Sequence, residues 1–104
     1  MTRRDYLQQL IRLYREAPDT PATPRRRDWA IASELYRRGV PLQVVEQAIQ
    51  LAALRRHLRE PELEPLEPIR SLAYVRPLVE ELQRAPLDPD YLDYVAQKYR
   101  QLTA

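Results

Sequence analysis

The sequence contains no cysteine, one histidine and one glycine among its 104 residues. Without cysteine, the chain forms no disulfide, no thiolate nucleophile and no zinc site with sulfur ligands. A single glycine, Gly39, is too few for a phosphate-binding loop of the P-loop or dinucleotide type, because those loops need several glycines at fixed spacing. These absences exclude several common redox, metal and nucleotide chemistries.

The remaining candidates for catalysis are isolated along the chain. His57 lies among arginines, whose charges disfavour both its protonation and metal binding. Neither Ser33 nor Ser71 has the surroundings of a nucleophile elbow. The acid-rich segment 60–67 lacks the glycine turn and the ligand spacing of a calcium loop. We therefore expect a protein that is not an enzyme and that uses no metal, cofactor or small-molecule substrate.

Long apolar runs are also missing. No segment approaches the length of a membrane span, and the first ten residues lack the apolar core of a signal peptide. We therefore expect a cytoplasmic protein with no membrane contact. A hydrophobic fraction of 44% and a charged fraction of 31% are typical of a globular protein, and the length predicts a single helical domain over residues 1–104.

Ten prolines divide the chain into segments with helical periodicity, and no segment has the alternation of a strand. The sequence therefore predicts an all-α fold, a compact array of about five helices with proline-rich connectors. Thr2 and Asp88 are predicted N-caps, Gly39 a left-handed C-terminal residue, and Pro77 the cause of a kink or break near residues 73–76. The predicted helices are 3–16, a second from Thr23 or Pro24 to Gly39, 41–58, 68–83 and a fifth from Pro89.

Apolar side chains at helical spacing predict the core. The short connection after Gly39 predicts that helices two and three form a packed helix–turn–helix pair. The predicted core residues are Tyr6, Leu10, Leu13 and Tyr14 in helix one, Trp29, Ile31, Ala32, Leu35 and Tyr36 in helix two, Leu42, Val45, Ala48, Ile49 and Ala52 in helix three, and Ile69, Leu72, Val75, Val79 and Leu82 in helix four. The spacing of helix five is marked by Tyr91, Tyr94 or Val95, Lys98 and Leu102.

Charge is unevenly distributed. Residues 1–59 carry twelve arginines and six acidic residues, whereas residues 60–104 carry five basic and nine acidic residues. Arginine pairs at the predicted ends of helices two and three complement the helix dipole whatever the function. Arg25, Arg26 and Arg27 instead lie at a predicted helix N-terminus, which is electrostatically the unfavourable end. Together with the free N–H groups there, they form a candidate phosphate-binding cluster.

The aromatic residues comprise seven tyrosines and one tryptophan. Tyr91, Tyr94 and Tyr99 lie close together on the last predicted helix, and not all of them can be buried. Exposed tyrosine stacks on bases or anchors a protein partner, and the sequence leaves both alternatives open.

The segment from Arg27 to Leu82 has a recognisable sequence pattern. A helix ends at glycine, the next has the form V–x–x–A–I–x–x–A, and I–x–S–x–x–Y then precedes an apolar and acidic stretch. This segment resembles the helical modules of replication initiation proteins of plasmids, phages and other mobile elements, including DnaD-like domains. Those modules carry a tryptophan near the end of their last helix, whereas this chain has Trp29. The matching positions are Gly39, Val45, Ala48, Ile49, Ala52, Ile69, Ser71 and Tyr74.

Two functional hypotheses follow. The first is a non-enzymatic module that binds DNA, or a DNA-processing protein, through its basic N-terminal half, as the resemblance to replication modules also implies. The second is an adaptor for protein–protein interaction, self-associating in one version, that does not contact nucleic acid. The predicted nucleic-acid-binding residues are Arg3, Arg4, Arg25, Arg26, Arg27, Arg55, Arg56 and Arg59, and the predicted partner-binding residues are Tyr91, Tyr94 and Tyr99.

Overall fold

The computed structural model describes residues 1–18, 20–21, 23–58, 60–64, 66 and 69–103. Within these residues the chain forms five α-helices and no strand, which confirms the predicted all-α fold. No helix in this part of the chain is long and apolar enough to cross a membrane. The helices are α1 (Arg3–Glu16), α2 (Arg26–Arg37), α3 (Leu42–His57), α4 (Arg76–Arg84) and α5 (Pro89–Thr103), and a 3₁₀ turn (Leu72–Tyr74) precedes α4.

Local sequence determines where α1 and α5 begin. The Thr2 hydroxyl accepts a hydrogen bond from the Asp5 N–H at 3.1 Å. The Asp88 carboxylate accepts one from the Asp90 N–H at 2.8 Å, with Pro89 as the first helical residue. Both side chains satisfy N–H groups that have no partner inside the helix, so both predicted N-caps are confirmed.

The single glycine ends α2. Gly39 has a φ of 72°, in the left-handed region that glycine adopts without steric penalty. Its N–H donates to the Tyr36 carbonyl, and the Val40 N–H donates to the Leu35 carbonyl. These two bonds form a Schellman motif, as the sequence predicts. The Tyr6 hydroxyl then donates to the Val40 carbonyl at 2.8 Å, which fastens α1 to the turn.

Two predicted helix starts are wrong. Helix α2 begins at Arg26, after an N-cap at Arg25, rather than near Thr23 or Pro24. The predicted fourth helix is interrupted: residues 69–71 are not helical, and α4 begins only at Arg76. Pro77 is the second residue of α4, where its missing N–H costs nothing, so the kink or break predicted near residues 73–76 is a break between the 3₁₀ turn and α4.

The core lies around α3, whose central stretch is apolar and buried. Four consecutive residues, Leu51–Leu54, are buried, so this helix runs through the centre of the fold. Helix α3 contacts α1, α4 and α5, whereas α2 packs on α1 and on the 3₁₀ turn. The predicted packed pair of α2 and α3 is therefore not formed, because α1 covers the apolar side of α2.

Helices α1 and α2 run antiparallel. Arg3, at the start of α1, contacts Ser33, whereas Tyr14, near its end, lies within the electrostatic influence of Asp28 in the first turn of α2. The predicted inward residues of α2 are buried or partly buried, except for Trp29. Its side chain is 39% exposed, so its predicted place in the core is wrong.

Candidate nucleic-acid interface

A buried carboxylate organises the start of α2. Asp28 is 1% exposed. Its Oδ2 accepts from the Arg25 N–H at 2.9 Å, and its Oδ1 accepts from the Leu72 N–H at 2.9 Å. The first bond explains why the helix begins after Arg25. Sequence reasoning missed this residue, although its spacing to Ala32 and Leu35 places it on the buried stripe of α2.

Asp28 also gives one of the clustered arginines a structural role. The Tyr14 hydroxyl is buried, and its pKa is raised to about 12 by burial and by the negative charge of Asp28, while the positive charge of Arg25 lowers it. Arg25 and Asp28 therefore both act on the same buried hydroxyl. The start of α2 is organised through the backbone N–H of Arg25, whose side chain is exposed.

The side of α2 opposite the core faces solvent. We define the α2 outer face as Arg26, Trp29, Ala30, Ser33 and Arg37, which recur at helical spacing. All are exposed except Ser33, which is partly buried. Arg26 and Arg37 are eleven positions apart, which corresponds to about 16 Å along the helix. Between them the face presents an indole ring and a methyl group.

A third arginine joins this face from α1. The Arg3 guanidinium donates to the Ser33 hydroxyl at 2.7 Å. Because Arg3 has five N–H donors, this single bond leaves others for a ligand. The contact holds the long side chain near the row formed by Arg26 and Arg37, which reduces the entropy lost when it binds an anion.

The acidic residues of α2 both have partners within the fold. Asp28 is buried and bonded to backbone N–H groups, and Glu34 pairs with Arg76 at 3.1 Å and with Arg38 at 3.8 Å. Arg38 also lies 3.6 Å from Glu80 of α4. This series of alternating charges joins α2 to α4. The charge of Glu34 is therefore largely compensated beside the outer face.

The remaining predicted arginines are not gathered into one surface. Arg4 and Arg27 are exposed at the starts of α1 and α2. Arg55 lines a cavity of about 320 Å³ with Asp88 and Tyr91, so its side chain lies next to residues of the acidic C-terminal half. Arg56 is partly buried in the last turn of α3. Arg59 lies outside the described residues.

The predicted tyrosine cluster divides into two environments. Tyr91 and Tyr94 are each 46% exposed and stack with their ring centroids 6.1 Å apart. The Lys98 ammonium lies 5.7 Å from the centre of the Tyr94 ring, a cation–π distance. Val95, which follows Tyr94 in the chain, is the buried residue of α5. This pair forms a small exposed aromatic patch.

Tyr99 is instead part of a groove of about 570 Å³ between α1, α3 and α5. Burial raises the pKa of Tyr99, and the charges of Glu16 and Glu46 raise it further. Leu13 and Ile49 form apolar parts of the lining, and Arg100 lies among the acids. The positive and negative groups of this groove partly compensate one another.

No group of three or more metal-ligating side chains is found among the residues that the structure describes. His57 lies exposed in the last turn of α3. In comparisons with known proteins, the chain matches no protein-family model, no curated protein and no solved structure. The function is therefore inferred from the chemistry of the protein's surfaces.

Proposed function

We propose that this chain is a DNA-binding module whose α2 outer face, together with Arg3, contacts the phosphate backbone. The observation that carries the proposal is a solvent-facing row of Arg3, Arg26 and Arg37 in which neither acid of α2 takes part. Guanidinium groups match phosphate geometry and remain charged at all working pH values. The resemblance of residues 27–82 to replication initiation modules supports the same proposal, with DNA or a DNA-processing protein as partner.

The proposed contact differs from that of a helix–turn–helix protein. In such proteins the second helix of the pair enters the major groove. Here the second helix is α3, whose residues Leu51–Leu54 are all buried and whose N-terminal half exposes Gln43 and Glu46 but no basic residue. Helix α2 presents its own outer face instead. Three phosphate contacts predict a slope of log affinity against log salt of about −2 to −3.

The test is a fluorescence-anisotropy titration of labelled DNA at two salt concentrations. The double variant Arg26→Glu with Arg37→Glu should abolish binding, because it turns two attractions into repulsions. Arg84→Glu reverses one charge, half the change made by the double variant, at an exposed position of α4 and should leave the affinity within about twofold. Wild-type affinity in the double variant, or affinity independent of salt, would refute the proposal. Circular dichroism checks that each variant is folded.

The adaptor hypothesis is a second candidate, favoured by the exposed pair Tyr91 and Tyr94. Aromatic residues are enriched at protein interfaces, and two stacked rings offer an anchor for a partner chain. Multi-angle light scattering over a range of concentrations tests its self-associating version. A dimer that dissociates in the variant Tyr91→Ala with Tyr94→Ala supports the adaptor. A monomer at every concentration argues against self-association.

A further inference from the structure

We infer that Trp29 is a stacking platform for an unpaired base, so that the DNA bound by the α2 outer face is single-stranded. This inference rests on the proposed function and goes beyond it, because phosphate contacts alone do not distinguish strands from duplexes.

Trp29 is exposed, unlike the other large apolar residues of α2. The neighbouring apolar residues Ile31, Ala32 and Leu35 are at most 4% exposed, whereas Trp29 exposes 39% of its surface. Leaving a large aromatic surface in water forgoes the stabilisation that its burial brings. The exposed ring is therefore available to a ligand with a flat apolar surface.

The neighbours of Trp29 match the two parts of a nucleotide. Arg26 precedes it by three residues and Ser33 follows it by four, so both adjoin it on the helix surface. Arg26, and Arg3 held at Ser33, place positive charge on either side of the ring. Ala30 is exposed and small, so it leaves room beside the ring. A base on the indole with phosphates at the flanking guanidinium groups satisfies both features.

Base pairing decides the strand state. In a duplex each base is covered above and below by its neighbours, so a protein ring reaches no base face without unstacking the helix. In a single strand the faces are accessible, and stacking on an aromatic side chain contributes about 1–3 kcal/mol per base. An exposed tryptophan within a basic row therefore favours single strands.

The same surface favours DNA over RNA. Recognition of RNA at a given site uses the ribose 2′-hydroxyl, which needs a polar partner. The hydroxyl oxygen on this face, that of Ser33, already accepts a hydrogen bond from Arg3 at 2.7 Å. The α2 outer face thus offers guanidinium groups for phosphates and a ring for bases, and no carboxylate or amide that would accept a hydrogen bond from a 2′-hydroxyl.

The experiment uses the full chain, in which Trp29 is the only tryptophan. Oligothymidylate, a duplex of matched length and oligouridylate are titrated, with anisotropy of the labelled nucleic acid reporting affinity and selectively excited tryptophan emission reporting stacking. We expect oligothymidylate to quench the emission along the same isotherm as the anisotropy change. We expect the duplex to bind more weakly and without quenching.

Two variants separate stacking from general loss of structure. Trp29→Leu keeps an apolar side chain without a ring and should weaken oligothymidylate binding about tenfold or more. Trp29→Phe keeps a ring and should retain an intermediate affinity. Equal melting temperatures by circular dichroism show that both variants fold.

The outcomes distinguish this inference from the proposed function. If oligothymidylate binds with unchanged tryptophan emission, or equally well to Trp29→Leu, stacking is overturned while phosphate binding stands. Equal or tighter binding of the duplex or of oligouridylate overturns the assignment to single-stranded DNA. If none of the three nucleic acids binds even at low salt, both proposals fail together.

Discussion

The backbone N–H of Leu72 donates to Oδ1 of Asp28 over 2.9 Å, although the two residues are forty-four positions apart in the chain. The other carboxylate oxygen accepts from the Arg25 N–H. One buried side chain thus determines where α2 begins and holds the segment before α4 against it. The expected consequences of changing this and other positions follow.

Asp28→Ala should lower the free energy of unfolding by about 3 kcal/mol, because it leaves the N–H groups of Arg25 and Leu72 without an acceptor in the interior. Asp28→Asn keeps one acceptor oxygen and should cost less. Urea denaturation followed by circular dichroism measures both values. The matched control is Asp93→Asn, at an exposed position of α5, where we expect a change within about 0.5 kcal/mol. Equal stability of Asp28→Ala and wild type would contradict the assigned role.

The stability of the fold should fall in alkaline solution. The folded state holds the pKa of Tyr14 at about 12, above the value of about 10 expected in the unfolded chain. As the pH rises, Tyr14 therefore loses its proton first in the unfolded state. The contribution of this group to the free energy of unfolding is constant below about pH 10 and declines towards about pH 12. The decline is at most about 1.4 kcal/mol per pH unit. Denaturation curves across this range measure the slope.

Tyr14→Phe is the matched variant for the alkaline decline. The Tyr14 hydroxyl makes no hydrogen bond with the described residues, so its removal leaves no partner unsatisfied. We expect Tyr14→Phe to be as stable as the wild type at neutral pH, or more stable by about 1 kcal/mol, with a smaller decline above pH 10. A large loss of stability at neutral pH would show that the hydroxyl contributes a favourable interaction.

Gly39→Ala should destabilise the fold by about 1–2 kcal/mol through backbone conformation alone. The residue has a φ of 72°, which is unfavourable for a side chain with a β-carbon. A β-carbon at this position would meet no atom within 4 Å, so no steric clash adds to the cost. Gly39→Asn should cost less, because asparagine tolerates the left-handed region better. Thermal unfolding of both variants would reveal the order, and equal losses would contradict it.

Ala30→Glu should weaken DNA binding about fivefold to tenfold by placing a carboxylate between the arginines of the α2 outer face. Alanine, glutamate and glutamine all favour helix, so the fold should be unaffected. Ala30→Gln controls for side-chain size, and Gln97→Glu places the same charge at an exposed position of α5. Anisotropy titrations compare the three variants. An equal loss with Gln97→Glu would indicate an effect of net charge rather than of position.

The features that the sequence predicts correctly depend on neighbouring residues. Thr2 caps α1, Asp88 caps α5 and Gly39 ends α2 through bonds to residues at most five positions away. The buried residues of the fourth segment, such as Ile69 and Val79, follow from helical spacing, even though residues 69–71 are not helical. Local chemistry and periodicity thus account for the fold class and for most of the core.

The features that the sequence does not predict depend on distant packing. Trp29 has the spacing of a core residue, yet its exposure depends on how α1 covers α2. Asp28 acts through Leu72, a partner that no local pattern indicates. The arginine cluster is predicted as one site, whereas in the structure the backbone N–H of Arg25 bonds to Asp28, and Arg3 from another helix contacts Ser33, which lies between Arg26 and Arg37 in α2. Three-dimensional proximity, rather than sequence clustering, defines the candidate surface.

The ion pairs between α2 and the start of α4 make the two halves of the chain depend on each other. Glu34 and Arg38 pair with Arg76 and Glu80, and Asp28 holds Leu72, so α2 is braced along its length by residues 72–80. The basic and acidic halves of the chain are therefore not separable units. A fragment cut within residues 60–64 would keep every arginine of the proposed surface and lose the support behind it. The acidic half thus acts as scaffold for the basic half.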